Sequence, residues 1–161
     1  MRPLFLVLSL LLAGFPLRAQ EMPAQAQPAL PAIDLAAGKA HVAAEIARTP
    51  QQMEAGLMYR TRMGDNDGML FVLGPPQQAR FWMANTYLPL SVAYLDRAGK
   101  IVEIHDMKPL DRSETVSASQ EICYALEMNQ GWFSLNGIPA GVTLKPSDPK
   151  LAFGKPPLSP P

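Results

Sequence analysis

The chain of 161 residues has one cysteine, Cys123, and so no internal disulfide can form. Packing and hydrogen bonding must hold any fold together. Charge is also sparse: charged residues make up 17% of the sequence, basic and acidic side chains number 14 each, and no block of one sign occurs. That balance removes the electrostatic footprint expected of a nucleic-acid or anionic-membrane partner. No apolar run approaches the ~20 residues of a membrane-crossing helix. The longest, Leu4 to Phe15, spans 12 positions with small or weakly polar interruptions and stops at Pro16. A stable membrane anchor is therefore not expected. Zinc-ligand spacing, a nucleotide-binding glycine loop and a serine elbow are all missing, so neither a cofactor nor a metal centre is assigned. Proline is scarce in the middle of the chain, where 33–145 holds only six of the 17.

What is present divides the chain into four parts. Residues 1–19, with Arg2 before the apolar run, have the build of an export signal, cleaved after Ala19 or, at a better small-x-small pattern, after Ala26. The mature protein is expected to be exported, periplasmic or secreted. Residues 20–32, rich in Ala, Gln and Pro, read as a linker. Residues 33–145 form the domain, and 146–161, with six prolines, read as an extended and disordered tail.

Within the domain the dominant period is two. Val42, Ala44 and Ile46 alternate with His41, Ala43 and Glu45, and Ile122, Tyr124, Leu126 and Met128 alternate with Cys123, Ala125 and Glu127, each pattern giving a strand with one face in the core. Shorter apolar runs at 69–73, 79–84 and 90–95 are bounded by turn residues, and Asp96 to Gly99 joins 90–95 to 101–105 as a hairpin. Thr49, Pro50 and Gln52 supply a capping box for a short helix, and a second helical turn fits 131–135. Many short strands with one or two short helices predict a mainly β, compact sandwich or barrel-like single domain.

The ordered segments Gly56-Leu57-Met58-Tyr59-Arg60, Asp67-Gly68-Met69-Leu70-Phe71-Val72 and Phe81-Trp82-Met83-Ala84-Asn85-Thr86, with Leu126-Glu127-Met128-Asn129 and Gly131 later, resemble the family catalogued as domain of unknown function 192. The resemblance spans about residues 35–145 and implies a small, mainly β, often exported protein with no known reaction. Two positions depart from the pattern: Ala84 stands where a basic residue is common, and Ser91 where an Asp is common.

Arg60, Trp82, Asn85 and Thr86 are the candidate ligand-binding residues. A guanidinium can hold an anion or carbonyl, an indole can stack, and the Asn and Thr side chains can complete hydrogen bonds. The competing reading is local: Asn85 and Thr86 tie a turn, and Arg60 covers a helix end. Three functions follow. The first is a non-enzymatic module binding a small molecule, a glycan or a protein, with no catalytic residue assigned. The second is a cell-wall or carbohydrate-active enzyme with Glu127 or His105 as acid or base, which demands a pocket and a perturbed titrating group. The third is copper binding by Met53, Met58, Met63, Met69 and Met83 with His41 or His105. Cys123, between large apolar neighbours, reads as a small buried side chain.

Overall fold

The computed structural model describes residues 24–155 and Leu158. The export-signal reading of 1–19 and most of the final proline cluster lie outside the described residues. Among the described residues, nine strands and two short helices follow in chain order: β1 Ala32–Ala37, β2 Ala40–Ala47, α1 Pro50–Ala55, β3 Asp67–Gln77, β4 Arg80–Phe81, β5 Leu90–Leu95, β6 Ile101–Met107, β7 Thr115–Val116, β8 Ile122–Asn129, α2 Trp132–Leu135 and β9 Lys145–Pro146. Seven strands make one sheet in the order β6-β5-β8-β3-β2-β1-β9, curled into a half-barrel, and β4 pairs with β7 beside it. The mainly β expectation is met.

All ladders are antiparallel except β2 with β3. A parallel neighbour needs a crossover connection, and α1 lies within it. The turn at Asp96 to Gly99 joins β5 to β6 as expected, with the Asp96 carboxylate accepting from the amides of Ala98 and Lys100 at 2.8 and 3.0 Å.

The sheet is covered on both faces. One face carries Leu35, Val42, Ala44, Ile46, Leu70, Tyr124 and Leu126, and the other Ala47, Met69, Phe71, Leu90, Val92, Tyr94 and Ala125. This alters the expected picture of β8, whose first seven residues are all buried. A central strand covered on two sides has no solvent face to give its alternate residues, so Glu127 is only 4% exposed.

The segments flanking the domain also make contacts. Gln27 Nε2 donates to the carbonyls of Gln52 and Gly56 at 3.1 and 2.8 Å, which docks the end of the linker on α1. The proline-rich segment, read from sequence as unpaired, joins the sheet at Pro146, opposite Leu35. Further on, the Phe153 ring packs edge-on against Tyr124 at 4.9 Å, and the Tyr124 hydroxyl donates to the Leu158 carbonyl at 2.6 Å.

Candidate functional site

Glu127 is placed by register. Its Cα partners are Met69 on β3 and Val92 on β5, and the row extends outward to Glu45 on β2 and His105 on β6. Opposed residues point to the same side of a sheet, so these five side chains share the second face. Neighbouring strands are about 4.8 Å apart, which puts Glu45 and His105 each roughly 10 Å from Glu127 with an apolar residue between. Both outer groups are also engaged. Glu45 takes a two-point pair from Arg60, Nη1 to Oε1 at 2.5 Å and Nη2 to Oε2 at 2.8 Å, while His105 Nε2 bonds Glu103 at 2.7 Å. Burial pushes the Glu45 carboxyl up, but the Arg60 hydrogen bonds and the Leu30 amide hold it below the ordinary range.

Glu127 has no such compensation. Its carboxyl has no hydrogen-bond partner or cation among the described residues, and burial alone pushes it up to about 8. Desolvation of a carboxylate without a partner has this sign.

The carboxyl lines a small inner cavity of about 40 Å³. One wall is α1. Thr49 Oγ1 accepts from the Gln52 amide at 3.2 Å, and Gln52 Oε1 accepts from the Thr49 amide at 3.0 Å, which fixes the helix start. Gly56, at φ 44°, ends the helix over the Phe71 ring. The opposite wall is the segment from Phe81 to Thr86. Phe81 meets Phe71 edge to face at 4.9 Å, and Met83 N donates to Asp111 O at 2.8 Å. Trp82 remains 42% exposed at the rim. An outer recess of about 210 Å³ adjoins the inner one, sharing Met53, Glu54, Phe71, Phe81 and Trp82 and adding Arg80.

Of the four residues singled out from sequence, Trp82 and Thr86 line the inner cavity together. Thr86 is buried, and its hydroxyl donates to the Ala84 carbonyl at 3.2 Å, which is the local tie that the competing reading proposes. Asn85 stands next to them in the left-handed backbone region, φ 55°, and its carbonyl accepts from the Tyr59 amide at 2.8 Å. Neither Asn85 nor Arg60 is among the residues lining the cavity. Arg60 is turned to Glu45 rather than to a helix end.

From sequence, Glu127 is a candidate acid or base only for the enzyme reading and Met53 a candidate ligand only for the copper reading; Glu54 and the Phe71 and Phe81 walls have no assigned role there. The available signal was a single charge in the otherwise apolar run Ile122 to Met128. The methionines are in part packing residues: Met69 and Met83 lie in the second apolar layer, which Met53 and Met63 cover, while Met53 and Met58 line the cavity.

A second recess, of about 710 Å³, opens beside α2. There Ser91 Oγ donates to Asp106 Oδ1 at 2.5 Å and accepts from the Gly131 amide at 3.0 Å. The carboxylate that the sequence pattern leads one to expect at 91 is thus supplied from the facing strand. The Ser91 hydroxyl there is bonded on both sides and Asp106 is exposed to solvent, whereas Glu127 is buried without a partner, so the cavity under Trp82 is the stronger candidate.

The chain is thus a mainly β protein whose curled half-barrel sheet carries a small recess lined by a buried carboxyl. The chain belongs to the domain of unknown function 192 family, described as an uncharacterised ACR group, which matches residues 32–146. It is similar to a solved protein of Sinorhizobium meliloti 1021, assigned provisionally as a transcription regulator, at 32% identity and TM-score 0.67 over 72% of this chain and 92% of that one. A protein of unknown function from Novosphingobium aromaticivorans DSM 12444 is similar at 30% identity and TM-score 0.65, over 71% and 83% of the two chains. No curated protein matches the chain.

Proposed function

We propose that this protein is an exported, non-enzymatic module that binds a small ligand or a single side chain in the recess between α1 and the Phe81 to Thr86 segment. The observation that carries this reading is the Glu127 carboxyl, buried and without a protein partner, facing a cavity whose rim is the exposed Trp82. The carboxyl is desolvated with no protein group answering it, and a ligand group that bonds it in the cavity offsets that desolvation. Apolar walls with a few convergent polar groups are the usual build of such sites. Export rests on the apolar start of the chain, and among the described residues no helix is long and apolar enough to cross a membrane.

One observation favours an enzyme. A carboxyl held protonated to about 8 has the profile of a general acid. Against it, the inner cavity has room for a few water-sized groups and none for a sugar ring beside the carboxyl. His105, the other candidate acid or base, is two strands away and bonded to Glu103.

Protein-observed NMR of the chain's backbone amides, titrated with neutral, cationic and anionic fragments, tests the assignment. Bound fragments should shift the amides of Gly56 and Thr86, and Trp82→Ala, a change at an exposed position, should weaken them several-fold. Fragments that bind with equal strength to that variant and leave those amides unmoved would place the function elsewhere.

A further inference from the structure

We infer that the recess under Trp82 takes a primary alkylammonium group, either a small free amine or a lysyl side chain, with the nitrogen seated against Glu127 and the methylenes lying along Phe81 and Trp82. This rests on the binding reading above and names the chemistry of its ligand.

The lining is one-sided in charge. The inner cavity holds two ionisable side chains, Glu54 and Glu127, and no basic one. The outer recess adds Arg80, but that guanidinium is taken by Glu114 at 2.7 Å and by Gln78 at 3.1 Å. An anion entering would meet two carboxyl groups without a free cation, whereas a cation meets what the site lacks. A buried charge is stable only when paired and hydrogen-bonded, and an ammonium supplies charge and donors together.

The rest of the wall suits such a guest. Aromatic faces attract cations within about 6 Å, and Trp82, Phe71 and Phe81 are the aromatic members. The thioethers of Met53 and Met58 are soft, adaptable neighbours for a methylene chain. Size agrees as well: about 40 Å³ admits an ammonium and its first carbon, and the adjoining 210 Å³ admits the stem.

Seating an ammonium requires Glu127 as the carboxylate, so binding releases its proton to solvent. The ionisable groups disposed around it are Tyr94 on β5, Glu54 on α1, and Glu45 and His105 at the ends of its row. Tyr94 donates its hydroxyl to the Thr115 carbonyl at 2.6 Å, so it offers Glu127 no competing donor.

The test is titration of the full chain with n-butylammonium, n-butanol and Nα-acetyl-lysine N-methylamide, followed by the amide shifts of Gly56, Thr86 and Glu127. Butylammonium should bind at least tenfold tighter than butanol, and its affinity should rise about tenfold per pH unit from about pH 6 to about pH 8. Glu127→Gln, which keeps shape, should abolish both the preference and the pH dependence. Tighter binding of the lysine derivative would identify a peptide side chain as the source, and tighter binding of butylammonium a free amine; both support the ammonium assignment. Equal binding of butanol and butylammonium, unchanged in Glu127→Gln, would overturn the charge assignment while leaving the recess as a binding site. If no probe shifts these amides at millimolar concentration, both readings fall, and Trp82→Ala separates rim contact from binding elsewhere.

Discussion

At the scale of single residues, two glutamates of one sheet row, the half-buried Glu45 and the buried Glu127, show how a partner decides what burial does. Glu45 is held ionised by Arg60, and Glu127 is held protonated because nothing answers it. The consequences for stability have opposite signs. Glu45, with its pKa lowered on folding, contributes stability that is present above the ordinary carboxyl value and is lost as pH falls. Glu127 titrates near 4.5 in the unfolded chain and near 8 when folded. Between those values the folded state keeps a proton that the unfolded state has given up, so stability falls as pH rises, by up to about 1.4 kcal/mol per unit. Above 8 the loss levels off. Glu127→Gln, neutral throughout, should flatten the thermal midpoint between about pH 5 and about pH 8 and raise it at the upper end. Melting curves at several pH values check this; parallel profiles for the two proteins would mean that Glu127 ionises as freely as a solvated carboxyl. The charge in the β8 run could be seen in the sequence, but its isolation could not. That isolation depends on Arg60 choosing Glu45, 15 positions away, and on His105 turning to Glu103.

At the scale of elements, α1 is the piece that sequence describes best, because a capping box is local chemistry. Thr49, Pro50 and Gln52 fix its start with bonds that span three residues. The strands with clear alternation and the β5–β6 hairpin were legible for the same reason. The second cover over β8 was not, since it is assembled from Ala79, Phe81, Met83 and Leu90, which lie some 40 positions from Glu127. The helix is six residues long, too short to persist unaided, and it forms a wall of the cavity. Thr49→Ala removes the Oγ1 acceptor and should cost about 1 kcal/mol of stability. It should also weaken binding in the recess, because Met53 and Glu54 are carried on that helix. Thr49→Ser should restore both. Chemical denaturation and the fragment titration measure the two effects; lost stability with unchanged binding would show that the cavity wall does not depend on the cap.

At the scale of the whole molecule, a half-barrel leaves one side of its first apolar layer to be closed by something other than sheet. The chain after β9 meets that need. Leu158 is fully buried in the layer, Phe153 packs against it, and the Tyr124 hydroxyl ties the segment down by accepting from the Gly154 amide at 2.8 Å and donating to the Leu158 carbonyl. Gly99 takes part from the opposite hairpin. A Cβ there would lie 2.6 Å from Cε2 of the Phe153 ring, and its φ of 78° is one that L side chains rarely adopt. Proline content alone suggested an unpaired tail, because composition records that a segment is poor at making a helix or a long ladder and says nothing about whether two apolar side chains in it find a seat. Ending the chain after Lys150 removes Phe153 and Leu158. Burial of a large apolar side chain contributes about 1.5–3 kcal/mol, so the shortened protein should lose about 3 kcal/mol of stability and bind a hydrophobic dye at the uncovered layer. In the full chain the Gly154 amide should exchange slowly, at a rate set by opening of the segment. A shortened chain of equal stability, together with fast exchange at Gly154, would show that the layer closes without it.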